Sequence, residues 1–185
     1  MKRTAWLLVL SLVALPGTAA SAQGSPPEPA GYRTQTYRSP TPATLAGARV
    51  VDTAEAEKLW KAGAAFVDVL PHVPRPANLP SGTIWREKTR MDIPGSIWLP
   101  DTGYGALAPA AERYLRSGLA RVTGGDWDKW LVVYCLADCW MSWNAAKRAL
   151  EIGYRNVAWY PEGTDGWEFQ GLPLQQAKPA PAEPE

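Results

Sequence analysis

Histidine and cysteine are nearly missing from this chain of 185 residues, which has one of the first, His72, and two of the second, Cys135 and Cys139. Zinc or copper needs more nitrogen and sulfur ligands than that set supplies, so neither a metal nor another cofactor is expected. A c-type haem needs histidine directly after its second cysteine, where this chain has Trp140. Gly-rich phosphate loops and serine nucleophile elbows are absent as well. Phenylalanine is scarce, two residues against ten tryptophans, which leaves the indoles to build most of the aromatic core or to line a groove. Charge of one sign is also lacking. Nineteen Lys and Arg stand against eighteen Asp and Glu, a formal +1 that becomes −1 without Lys2 and Arg3. That balance gives no electrostatic reason to expect nucleic acid or an anionic membrane surface as a partner.

No apolar run reaches the roughly 20 residues that a bilayer span needs. The run over residues 5–15 follows Lys2 and Arg3, is broken by Pro16-Gly17, and precedes the small residues Ala20-Ser21-Ala22. This pattern predicts a cleaved secretory signal over residues 1–22, a periplasmic mature protein and no membrane attachment once the signal is removed. Residues 23–44 are rich in Pro, Ser, Thr and Ala, with Tyr32 and Tyr37 as the large side chains, and are expected to be a disordered linker. The Pro-rich tail over residues 177–185 is expected to be disordered too. Neither end is expected to carry catalysis. Residues 45–176 remain as one domain with one core.

Within that stretch strand and helix signals alternate. Asp52 with Glu55 three residues later announces a helix that ends near Gly63. A buried strand is expected over residues 65–70, a long loop over 71–93, and a short strand over 96–99. Pro109 suits the first turn of a helix that Gly118 ends. The run KWLVVY at 129–134 is the clearest central strand, Ser142 caps a helix through Ile152, and NVAWY at 156–160 is the next strand. Alternation of this kind argues for an α/β layer with a mostly parallel sheet flanked by helices, whose ligands bind at the carboxyl ends of the strands.

The segment VVYCLADCWMSWNAAKRAL lies at such an end. It places Cys135 as the first residue off a buried strand, before a helix start, where backbone N–H groups and the helix dipole favour thiolate over thiol. The plain alternative is an inert cysteine closing a strand. Cys139 follows four residues later. In an exported protein the pair would meet an oxidising environment, and a disulfide across so small a ring would stabilise little by loop entropy, which favours a redox or sulfur-handling role over a structural one.

Residues 132–173 resemble the C-terminal half of a rhodanese domain: strand, Cys, short loop, Ala-rich helix, GYRNV, a second strand, then GTDGW and GLP. FVDV at 66–69 and IPGSIWLP at 93–100 resemble earlier rhodanese segments. The resemblance implies a single rhodanese-like domain, with Cys135 at the family's persulfide-bearing position. The loop residues Leu136, Ala137, Asp138, Trp140, Met141 and Ser142 would then bind a small sulfur or thiol substrate. The signature from Cys135 to Trp140 resembles the PQQ-dependent catabolism-associated CXXCW motif proteins, which implies partnership with a PQQ-dependent alcohol dehydrogenase or a c-type cytochrome.

Departures from the family pattern shift the expected chemistry. Leu70 stands where the family has Arg, Asp92 where it has His, and the loop has Asp138 but no cation. A thiol relay suits this site better than thiosulfate sulfurtransfer: Cys135 is attacked or charged with sulfur, and Cys139 resolves the adduct. A non-catalytic binding or scaffold module on the same fold is the alternative, so turnover is left open. Trp140 and Trp143 are expected to pack in the core, Asp68 to bond the active loop, a local backbone group, Arg86 or Arg90, and residues 78–90 to form a surface loop.

Overall fold

The computed structural model describes residues 24–73 and 75–182. The signal expected over residues 1–22 lies outside them. Asp52 accepts a hydrogen bond from the Glu55 backbone N–H at 2.8 Å, which starts α1 (Thr53–Lys61) after the short strand β1 (Arg49–Val50). Then come β2 (Ala65–Asp68), β3 (Arg90–Asp92), β4 (Ile97–Trp98), α2 (Pro109–Thr123), β5 (Leu131–Tyr134), α3 (Trp140–Ile152), β6 (Val157–Tyr160), α4 (Gly163–Phe169) and β7 (Gln175–Ala177).

Five strands form one sheet in the order β1-β6-β5-β2-β4, every neighbour parallel. The expected α/β class, with a mostly parallel sheet flanked by helices, is the class observed. The run at 129–134 does hold the centre: β5 pairs with β2 through Val132 opposite Phe66 and with β6 through Val133 opposite Trp159. Alternation along each strand divides the core between the two faces. Val67, Leu131 and Val133 pack with Leu115, Leu119 and Trp143 on one side, while Phe66, Val132, Tyr134 and Trp167 pack on the other.

Several expectations are corrected by packing. Gly118 does not end α2; a Cβ there would lie 2.5 Å from Leu99 Cδ1, so the glycine serves the helix's close approach to Leu99. The stop is Gly124, left-handed at φ 68°. Helix α3 starts two residues before the expected cap Ser142, with Cys139 as its N-cap. The long loop after β2 ends in a strand, because β3 pairs antiparallel with β7.

Neither terminal stretch is disordered where the structure describes it. Buried Asn144 accepts from the Arg33 backbone N–H at 2.9 Å and donates to the Arg33 carbonyl at 2.8 Å. The indole N–H of Trp143 donates to the Thr44 carbonyl at 3.1 Å. Composition suggested that residues 23–44 lack the apolar area to order themselves. They order by satisfying polar groups of α3 instead. In the tail, the Ala180 N–H donates to the Trp98 carbonyl at 2.8 Å and Tyr114 Oη donates to the Ala180 carbonyl, so the chain end covers the β4 edge of the sheet.

Candidate active site

The two cysteines flank a tight connection at the carboxyl end of the central strand. Cys135 follows β5 directly, and its carbonyl accepts from the Thr164 N–H at 3.0 Å. Leu136 bridges to Gly163. Gly163 has φ +53°, and a Cβ there would lie 2.7 Å from the Cys135 carbonyl carbon, so only glycine lets the start of α4 come this close. The loop then turns through Asp138, a non-glycine residue at φ 50°, into Cys139 and α3.

The two cysteines are not bonded to each other in this structure, both are buried, and their environments shift their acidities in opposite directions. Cys135 has no exposed surface; its Sγ lies 3.6 Å from the Cys139 carbonyl and 3.7 Å from that of Leu136, positions from which a thiol donates. Burial, and then its contact with Cys139, push this thiol well above its ordinary pKa. Cys139 moves the other way. The hydrogen bond from Cys135 favours its thiolate most, followed by the backbone N–H of Met141, the charge of Arg38 and the N–H of Leu136, against a burial cost. Cys139 is the N-cap of α3 without a side-chain capping hydrogen bond, so the positive end of the helix dipole lies beside its sulfur.

The first-turn amides and the helix mouth serve Cys139 rather than Cys135, because α3 begins earlier than composition implied. Other loop amides are already taken: Ala137 N–H donates to Asp165 Oδ2 at 3.1 Å, and Trp140 N–H to the Tyr37 carbonyl at 2.9 Å.

A cavity of about 720 Å³ opens over Cys139. Of the residues expected to bind substrate, Leu136 and Met141 line it, whereas Ala137, Asp138, Trp140 and Ser142 do not. Ser142 is buried, donating from its Oγ to the Cys139 carbonyl at 3.1 Å and accepting from the Trp159 indole at 3.1 Å, so it holds the N-cap in place. Trp140 is buried as expected, its indole N–H directed to Ser39 Oγ and the Pro40 carbonyl at 3.1 Å each. Asp138 gives its carbonyl to the Ser39 N–H at 3.0 Å.

The missing cation comes from the stretch expected to be a linker. Arg38 pairs with Cys139 as an isolated bridge, lines the cavity and favours the thiolate by its charge. Tyr37 beside it stacks edge-on against Tyr104 at 5.3 Å, and its Oη accepts from the Gly105 N–H. Tyr32 and Tyr37, the large side chains of an otherwise small-residue segment, were the sign in the sequence that this stretch packs.

Behind the cavity lies a buried polar group. Asp68 Oδ1 accepts from the Leu70 N–H at 2.9 Å, and Oδ2 accepts from Arg90 Nε at 2.6 Å, so a local backbone group and Arg90 are both partners among those expected. Asp92, standing where the family has histidine, accepts from Tyr134 Oη and from the Ile93 N–H. Burial, joined at Asp68 by repulsion from Asp92, raises both carboxyls above their ordinary range. One cation serves two carboxyls, so the pair holds a proton to higher pH than an ordinary carboxyl does. Among the described residues no group of three or more His, Cys, Asp or Glu is placed to hold a metal, and no helix is long and apolar enough to cross a membrane.

No protein-family model and no curated protein matches the chain. Solved structures similar to it include the following two. One is a polysulfide-sulfur transferase homodimer from Wolinella succinogenes, 21% identical over 70% of this chain and 80% of that one, with a TM-score of 0.44. The other is an uncharacterized protein from Saccharomyces cerevisiae, 24% identical over 67% and 93% of the two chains, with a TM-score of 0.40.

Proposed function

We propose that the chain is a rhodanese-like dithiol protein that takes up sulfur on Cys139 and resolves the adduct with Cys135. The observation that carries this reading is the asymmetry of the pair. Cys139, itself only 2% exposed, lines the cavity and is shifted toward thiolate, whereas Cys135 has no exposed surface, does not line the cavity and is shifted toward thiol. Thiolate is the attacking form, and a thiol placed behind the adduct converts uptake into release. With a polysulfide as donor, the Cys139 thiolate attacks a terminal sulfur. The S–S bond breaks, the shortened polysulfide leaves with the electron pair, and Cys139 carries a persulfide. Cys135 then attacks Cys139 Sγ, and the Cys135–Cys139 disulfide forms as hydrosulfide departs with the Cys135 proton.

The resemblance of the Cys135–Trp140 signature and the signal-like residues 1–22 support a place in the periplasm, as an accessory to PQQ-dependent alcohol oxidation with a quinoprotein dehydrogenase or c-type cytochrome as partner. Incubating reduced protein with polysulfide tests the chemistry. Loss of both free thiols with release of about one hydrosulfide per chain is expected. Retention of both thiols with no added mass would overturn the relay and leave a scaffold on the same fold.

A further inference from the structure

The cavity over Cys139 is far larger than an inorganic sulfur anion needs. Its volume of about 720 Å³ is that of a pocket for an organic molecule of drug-like size. Its walls are apolar and aromatic: Trp85, Trp98 and Tyr104 face it together with Leu70, Leu136 and Met141. Trp98 is fixed by its indole N–H donating to the Leu70 carbonyl at 2.8 Å and by His72 edge-on at 5.8 Å. Trp85, on the exposed loop, is more than a third accessible and lines the same cavity.

The charges around the rim are unevenly used. Arg90 is held by Asp68, Glu87 by His72, and Asp165 by the Ala137 N–H. Arg86 and Lys88 line the cavity and make no ion pair among the described residues, and Arg38 adds a third cation beside the thiolate. Glu168 is the remaining acidic group on the lining. A ligand with a flat apolar body and an anionic end therefore matches both the walls and the rim.

We infer that the site at Cys139 also accepts, beside polysulfide, an organic disulfide with an aromatic or extended apolar body and an anionic end. This inference rests on the thiol assignment made above and adds the class of molecule. The Cys139 thiolate attacks the nearer sulfur, the substrate S–S bond breaks, and one organic thiolate leaves with the electron pair, giving a mixed disulfide. Cys135 releases its proton and attacks Cys139 Sγ, expelling the second organic thiolate. The substrate is reduced by two electrons and the cysteine pair is oxidised to its disulfide.

Stopped-flow reaction of the full reduced chain with 5,5′-dithiobis(2-nitrobenzoate), an aromatic anionic disulfide, tests this against cystamine, which is small and cationic. The aromatic disulfide is expected to give rates that saturate with concentration, and cystamine rates that stay linear. Trp85→Ala should lower the ratio of the aromatic-disulfide rate to the iodoacetamide rate at least fivefold. Ile84→Ala, on the same exposed loop but off the lining, should keep that ratio. Linear rates for both disulfides, or an unchanged ratio in Trp85→Ala, with normal iodoacetamide labelling of Cys139, would overturn the inference and leave the thiol assignment standing. Failure of Cys139 to react with iodoacetamide would overturn both.

Discussion

Replacing Cys135 with alanine should make Cys139 a weaker acid, because the Cys135 hydrogen bond is the largest influence favouring the Cys139 thiolate. Cys139 is lowered to about 6. At pH 7 that leaves about nine-tenths of it as thiolate, against a few per cent for an unperturbed thiol near 8.5. A hydrogen bond to a charged group is worth about 1.5–3 kcal/mol, and one pKa unit corresponds to about 1.4 kcal/mol. Losing it should move the midpoint up by about one to two units. The thiolate fraction at pH 7 would fall to between about a half and a tenth, and the labelling rate by about two- to tenfold. Iodoacetamide rates measured from pH 4.5 to 9, with the labelled residue located by peptide mass spectrometry, give both midpoints. Circular dichroism confirms that the variant is folded. A wild-type midpoint near 8.5, an unmoved midpoint in Cys135→Ala, or first labelling at Cys135 would refute the reasoning.

Three further outcomes follow from the surroundings of the pair. Arg38→Gln should raise the Cys139 midpoint by less than about half a unit, since an exposed cation is strongly screened, and should reduce its dependence on salt; midpoints at low and high ionic strength check this. Asn144→Ala removes three hydrogen bonds to Arg33 and Gly103, so it should cost about 1–3 kcal/mol in urea unfolding and speed proteolytic cleavage within residues 24–43. The raised carboxyls give a pH effect of definite sign. Between the ordinary carboxylate range and about 7, where Asp68 titrates, the native state holds protons that the unfolded chain has released, so stability falls as pH rises, by up to about 1.4 kcal/mol per pH unit for each proton. Asp92→Asn removes the repulsion and should flatten that fall; equal slopes in urea melts of wild type and variant between pH 5 and 7.5 would count against a shared proton.

The sheet was legible in the sequence because its strands are short, apolar and bounded by strong punctuation. Asp52 and Glu55 start α1, and the run LVVY can be buried on both faces only at the centre of a sheet. What misled was punctuation with a tertiary purpose. Gly118 reads as a helix stop, yet it is there for Leu99. Ser142 reads as a cap, yet its hydroxyl braces the Cys139 carbonyl from inside the first turn. The site was half legible. Spacing identified both cysteines and the strand-to-helix junction, but which thiol lies at the helix mouth depends on where α3 begins, a matter of three residues in the position of the N-cap and therefore beyond pattern reasoning. Arg38 was hidden for a different reason. Its segment has too little apolar area to order itself, and its order comes from polar partners on α3 that no local window contains.

Which sulfur receives the adduct is the most direct test of the whole account. Cys135→Ser and Cys139→Ser proteins, each reduced and treated with polysulfide, can be compared by intact and peptide mass spectrometry. The account predicts a persistent sulfur adduct on Cys139 in the Cys135→Ser protein and no adduct in the Cys139→Ser protein. An adduct on Cys135 in the Cys139→Ser protein, with none on Cys139 in its counterpart, would contradict it.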